Sequence, residues 1–198
     1  MLTPAFNKER DNFTGYAGAP IELVEYGDYQ CEYCATVMPV VRQLLEVLRT
    51  EVKYVFRNFP LPNIHPMALE AAVVAEAAGL QGRFWEMHEM ILKNQKYLNL
   101  SSLYLMAEEI GLDIAEFDRS GRRKQLFQKV ISDYESGVRS GVDSTPTFFI
   151  NGLRYSGFDD FQSLYKACRY VNMVDYKGIS TVSLHPFSGL ECNSTFPL

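Results

Sequence analysis

The stretch Ile21-Glu22-Leu23-Val24-Glu25-Tyr26-Gly27-Asp28-Tyr29-Gln30-Cys31-Glu32-Tyr33-Cys34 runs from a block of β-formers straight into a Cys-x-x-Cys pair. Residues 21–27 read as a buried strand that Gly27 ends. Val37, Val40, Val41, Leu44, Leu45 and Leu48 then recur at helical intervals to about Arg49, and Pro39 predicts a kink among them. Both thiols therefore stand at the start of a helix, near its positive end, where a thiolate is favoured. A spacing of i and i+3 puts them on one helical face, close enough to form a disulfide. The pattern is that of thiol–disulfide exchange.

Working outward, Val52 to Phe59 alternates as a second strand, stopped by Pro60 and Pro62. The chain then turns helical. Pro66 suits the first turn of an alanine-rich helix to Gly79, and Phe84, Met87, His88 and Ile91 mark a second. Ser101 or Ser102 is expected to cap a third, with Leu103, Met106 and Ile110 inward, and Asp113 with Glu116 a short fourth. Phe127, Val130, Ile131, Tyr134 and Val138 predict the inward stripe of a fifth. Strand character returns at Thr147-Phe148-Phe149-Ile150, followed by the hairpin turn Asn151-Gly152 and Leu153-Arg154-Tyr155. Asp159 or Asp160 then caps a last helix to about Val171. Strand, helix, strand, helices, hairpin and helix make one α/β unit interrupted by helices.

With 198 residues, 47% of them hydrophobic and 22% charged, the chain has the composition of an ordinary globular protein. A formal net charge of −5 gives no general attraction to nucleic acid or an anionic membrane, so neither is expected as a partner. Residues 1–12 show no secretory leader and Met67 to Ala78 is too short to span a bilayer. A cytoplasmic location is the expectation, although a mature periplasmic or secreted form would read the same. Of the four cysteines, Cys168 falls on a helical apolar stripe and reads as a core thiol, while Cys192 lies in an irregular tail. Structural zinc normally needs four ligands, and no second Cys-x-x-Cys or matched His pair accompanies the first. No metal and no organic cofactor are expected.

Glu25 to Cys34, the helical middle, and Ser144-Thr145-Pro146-Thr147-Phe148-Phe149-Ile150-Asn151-Gly152 together resemble the DsbA-type thioredoxin-like oxidoreductases, over roughly residues 15–172. The resemblance implies an α/β, thioredoxin-like fold with an inserted all-helical subdomain. The thioredoxin-like unit would occupy residues 15–63 and 142–172, the insertion 64–141, and an irregular tail 173–198. It also implies that Pro146 is cis and faces the thiols, and that Glu25 is the family's acidic residue six positions before the first cysteine. Two positions depart from the family pattern: Glu32 stands where proline is common, and Ser144 where close relatives often have glycine.

On this reading Cys31 is the nucleophile and Cys34, one turn deeper, the resolving thiol. Glu32 should oppose the Cys31 thiolate. An interaction of about 0.3–1 kcal/mol at an exposed helix start moves a pKa by less than one unit, since a unit corresponds to about 1.4 kcal/mol. Glu25, flanked by apolar residues, is expected to be buried and to accept the Cys34 proton; the alternative is a solvent-facing strand edge. A cis Pro146 would leave the Thr145 backbone free to pair with an extended substrate chain. Thr145 would either turn its hydroxyl toward Cys31 or satisfy a local backbone group, and Tyr33 would either face substrate or cover the helix start. His65 and His88 read as a loop residue and a helix-face residue, and Phe84, Trp85 and Phe117 as core of the insertion. The expected activity is that of a protein-disulfide oxidoreductase or isomerase acting on protein, peptide or small-molecule thiols and disulfides, with its recycling partner unidentified. A glutathione-dependent transferase or isomerase of the same fold, and a chaperone-like binding module, are the competing readings.

Overall fold

The computed structural model describes residues 1–117, 120–157 and 159–176. Five strands form one mixed sheet in the order β1-β3-β2-β4-β5: β1 (Asn12–Gly15), β2 (Ile21–Gly27), β3 (Val52–Asn58), β4 (Thr147–Ile150) and β5 (Leu153–Arg154). Only β2 and β3 run parallel, joined by the crossover helix α1 (Glu32–Leu48), which runs through Pro39. Between β3 and β4 the chain forms α2 (Ala68–Leu80), α3 (Phe84–Lys93), α4 (Leu100–Glu109), α5 (Ile114–Phe117) and α6 (Ser120–Arg139). The last helix, α7 (Phe161–Tyr176), packs against α1 and β2.

Side chains alternate across a strand, so β2 sends Ile21, Leu23 and Glu25 to one face and Val24 and Tyr26 to the other. On the first face Ile21 and Leu23 join Tyr54 and Phe56 of β3, Phe148 and Ile150 of β4, and the inward residues of α1 and α7. On the second, Val24, Tyr26, Val55 and Phe149 pack with Leu2, Phe59 and Val142. The thioredoxin-like fold with its inserted helices is the expected one.

Several elements differ from the sequence reading. Strand β1 pairs antiparallel with β3, although nothing in Asn12-Phe13-Thr14-Gly15 alternates long enough to signal it. Asn99, rather than Ser101 or Ser102, caps α4: its Oδ1 accepts from Ser102 N at 2.9 Å while Ser102 Oγ accepts from Asn99 N at 2.9 Å. The buried stripe of α6 holds Leu126, Val130, Asp133 and Ser136, continued by Ser140 just past its end, whereas Phe127 and Val138 are exposed. Polar members of that stripe are satisfied inside. Asp133 accepts from Asn58 and Lys129, Ser136 meets the Tyr26 hydroxyl, and Ser140 Oγ accepts from Thr3 N. At Gly137 a Cβ would lie 2.6 Å from the Phe59 ring, so α6 sits as close to the sheet as a glycine permits. Helix α7 continues past Val171 to Tyr176, into the span read as an irregular tail, and Cys192 lies outside the described residues.

The N-terminal segment is held to the second face by Arg57, which is 0% exposed. Its guanidinium donates to both Asp11 oxygens at 3.0 and 2.9 Å, to the Tyr26 hydroxyl at 2.9 Å, and to the carbonyls of Pro4 and Ala5. Burial alone would raise the Asp11 carboxyl, but Arg57 and Arg10 outweigh it and hold it below its ordinary value. Asp11 therefore contributes stability above the carboxylate range and loses it in acid. Asp11→Ala leaves a buried cation without its carboxylate, and chemical denaturation should show a loss of about 3–5 kcal/mol. A loss below about 1 kcal/mol would mean the carbonyls and Tyr26 suffice.

Candidate active site

The loop from Gly27 to Cys31 is folded around Asp28, 1% exposed. Its Oδ1 accepts from Gln30 N at 2.7 Å, and its Oδ2 accepts from Leu61 N at 2.7 Å and pairs with His65 Nδ1 at 2.9 Å. The Asp28 carbonyl accepts from Cys31 N at 3.1 Å, and its own N–H points to Cys34 Sγ at 3.4 Å. One aspartate thus fixes the approach to both thiols. From the inserted helices, Gln95 Nε2 donates to the carbonyls of Tyr29 at 3.3 Å and Cys31 at 3.1 Å. Asp28 lies in the stretch quoted at the outset, whereas nothing in the sequence around Gln95 marks it.

Cys31 is the N-cap of α1, in extended conformation, and Cys34 lies one turn in. Both thiols are free. Cys31 keeps 7% of its surface exposed against 1% for Cys34. Their acidities are driven apart. The hydrogen bond from the Cys34 thiol is the largest influence on Cys31; burial opposes it, while the Thr145 side chain and the backbone amides of Cys34 and Tyr33 assist. The result is a Cys31 pKa lowered to about 5. Burial, with that same hydrogen bond and the Glu25 charge, pushes Cys34 well above its ordinary value. Glu32 and Tyr33 are both exposed, Tyr33 by 74%. Glu32 is not among the leading influences on Cys31, because its carboxylate stands in water, where a neighbouring charge is strongly screened.

Across the cleft, the Thr145–Pro146 peptide bond is cis, and the Thr145 carbonyl lies 3.2 Å from Cys31 Sγ. The carbonyl makes the direct contact. Thr145 Oγ1 is buried and completes no hydrogen bond of ordinary geometry. Beneath α1, Glu25 is 2% exposed and accepts from the Tyr54 hydroxyl at 2.7 Å. Burial raises its carboxyl to about 8, with Tyr54 opposing and the charges of Asp159 and Cys31 adding to the rise. The solvent-edge alternative for Glu25 is thereby excluded. His88 is buried against Phe56 and Phe84, meets the Tyr29 hydroxyl at 3.2 Å, and is held neutral by burial, with its pKa lowered to about 3. Phe84 is core and Trp85 packs on Tyr54; the side chain of Phe117 lies outside the described residues. Cys168 is fully buried in α7, and burial pushes its thiol up to about 12.

Comparison with known proteins matches residues 7–168 to the family model described as Thioredoxin. The chain belongs to the thioredoxin family. Helices α2 to α6 are inserted between its β3 and β4. Among solved structures, it resembles the thiol-disulfide exchange protein alpha-DsbA2 from Wolbachia pipientis, with TM-score 0.74 at 21% identity over 81% of this chain and 87% of that one. It also resembles oxidised BdbD from Bacillus subtilis, with TM-score 0.74 at 18% identity over 84% of this chain and 95% of that one. A curated relative, Na(+)/H(+) antiporter NhaA 1 from Salinispora arenicola, is 40% identical over 83% of this chain. The chain spans about a quarter of that relative, 25% of its length. Among the described residues no helix is long and apolar enough to cross a membrane, and no cluster of His, Cys, Asp or Glu has the grouping of a metal site.

The thiol asymmetry is directly measurable. Thiolate absorbance in the dithiol form should titrate with a midpoint near 5 and move upward in Cys34→Ala, which removes the largest lowering influence. Because Cys31 ionises more easily folded than unfolded, the dithiol form should gain stability over the disulfide form as pH rises from about 5 toward 9.0, and lose it as pH falls through about 5. Denaturation of both redox forms across that window checks the sign.

Proposed function

We propose that this protein is a thiol–disulfide oxidoreductase whose Cys31–Cys34 pair exchanges electrons with protein or peptide thiols and disulfides. The observation that carries the reading is the split between two thiols one helical turn apart. Cys31 is lowered to about 5 and Cys34 is buried and raised. A thiolate is the attacking species and a low-pKa thiol is the better leaving group, so Cys31 is suited to forming and releasing the mixed disulfide with substrate.

In the oxidising direction, a substrate thiolate attacks Cys31 Sγ. The Cys31–Cys34 bond breaks, and Cys34 leaves with the electron pair and takes a proton. Glu25 is the proposed donor of that proton, since its raised carboxyl is the ionisable group beneath the pair. A second substrate thiolate then attacks the substrate sulfur, closing the substrate disulfide and releasing Cys31 as thiolate. Two electrons have passed to the cysteine pair. The edge at Thr145 and Pro146 and the exposed ring of Tyr33 are the proposed contacts for the extended substrate chain.

A Cys31 pKa of about 5 falls between thioredoxin at about 7 and DsbA at about 3.5. The low value stabilises the dithiol form and so favours oxidation of substrate, which suits an oxidising, extracytoplasmic compartment better than the cytoplasm. The cytoplasmic expectation gains no support from the family match or the solved neighbours. The recycling partner is proposed only as a second dithiol–disulfide couple.

Equilibration with glutathione should give a potential between about −270 mV, that of thioredoxin, and about −120 mV, that of DsbA. Cys34→Ala should accumulate a mixed disulfide with a reduced peptide substrate, and Cys31→Ser should abolish exchange. Retained exchange in Cys31→Ser, or a potential at or below about −270 mV, would overturn the oxidant reading.

A further inference from the structure

We propose that Tyr54 is a positioning residue for this exchange: its hydroxyl holds the Glu25 carboxyl beneath the two thiols and sets how readily that carboxyl takes up the Cys34 proton. The inference rests on the reading of Glu25 given above. Tyr54 lies on β3, two positions before Phe56, which is the register partner of Glu25, so strand alternation returns its side chain to the same face. It donates to Glu25 Oε2 at 2.7 Å, and no other described residue is seen bonded to that carboxyl. The phenol itself is 4% exposed, so the bond forms away from bulk water, where a donor to an anion counts most.

The surroundings keep the phenol in place on one side and leave space beside it on the other. The Trp85 ring packs on Tyr54 with centroids 5.4 Å apart. Tyr54 also lines a cavity of about 150 Å³ with Met38, Val41, Trp85, His88 and Glu89, enough for several waters at about 30 Å³ each. The titratable groups facing Glu25 are Tyr54 from β3, Tyr29 from the loop after β2, Cys31 and Cys34 at the start of α1, and Asp159 ahead of α7. Of these, Tyr54 opposes the rise in Glu25, whereas Asp159 and Cys31 add to it. Burial and the Glu25 charge keep the Tyr54 phenol itself neutral.

During resolution the Cys34 thiol gives its proton to the Glu25 carboxylate and its sulfur attacks Cys31 Sγ. The Cys31–Cys34 bond forms, the Cys31–substrate bond breaks, and the substrate leaves as a thiolate with the electron pair. A donor to the carboxylate makes it a weaker base but keeps it ionised, and therefore available, at lower pH. Tyr54 thus sets the pH at which resolution becomes fast.

The test loads Cys31 with an aromatic thiol as a mixed disulfide and follows release of the aryl thiolate across pH. Tyr54→Phe keeps the ring and removes the donor. The rising limb should move upward by about one pH unit, roughly tenfold slower release at neutral pH, as expected for loss of a hydrogen bond to a charged group. Site-specific 3-fluorotyrosine at position 54, a stronger donor, should move it downward and decides the matter if Tyr54→Phe does not fold. In Glu25→Gln the limb should vanish, and Tyr54→Phe should then shift nothing further. If Glu25→Gln alters the profile while neither change at Tyr54 moves it, Tyr54 only packs and the inference falls alone. If Glu25→Gln leaves the profile unchanged, the role of Glu25 falls and takes this inference with it.

Discussion

The placement of Cys34 one turn below Cys31, where its side chain is the largest influence lowering the Cys31 thiol, sets two identical side chains apart in acidity. This placement arises because α1 begins just after Cys31, leaving this sulfur at the helix mouth while the first turn carries Cys34 beneath it. Amides of the first turn point at the outer sulfur and the apolar sheet surrounds the inner one. Charge gathers on Cys31, where substrate can reach it, and the proton stays on Cys34, where water cannot. Asp28 and Gln95 hold that geometry from two sides, one from the loop after β2 and one from the inserted helices. The thiol chemistry and the insertion are thereby mechanically joined.

The protein also carries buried polar networks that no hydrophobic pattern announces. Arg57, Asp11 and Tyr26 tie the N-terminal segment down, and Asn58, Glu76, Lys129 and Asp133 join β3 to α2 and α6. Buried polar groups are tolerated when their bonding is met and costly when it is not. The second network is largely met, with Asn58 Oδ1 the exception. Its directional bonds tie α2 and α6 to β3, and Gly137 allows close approach of α6 to Phe59.

Legibility from sequence followed the kind of signal each element carries. Strand β2 is plain from its block of β-formers ended by Gly27, helix α1 from a helical period kept to about Arg49, and the Asn151-Gly152 turn because both residues adopt the positive φ that its type demands. Strand β1 was missed because four edge residues with one large apolar side chain carry no period. The α6 stripe was misplaced for a different reason. Asp133, Ser136 and Ser140 look solvated in sequence, yet each has a partner from a distant segment. Asn99 was passed over as a cap because Ser101 and Ser102 compete for the role on composition alone.

The order of residues along the chain determined by itself that a Cys-x-x-Cys pair opens a helix after a buried strand, since spacing and periodicity are local and need no distant partner. It also marked Glu25, through its apolar neighbours, and the Thr145–Pro146 segment through resemblance. Tertiary structure alone decided how far apart the two thiol acidities are driven, that the Thr145 carbonyl lies against Cys31, and that Tyr54 holds Glu25. Acidity and hydrogen bonding depend on burial and on which atoms approach within about 3 Å. Those distances are set between segments more than a hundred residues apart at Cys31 and Thr145, and only folding brings them together.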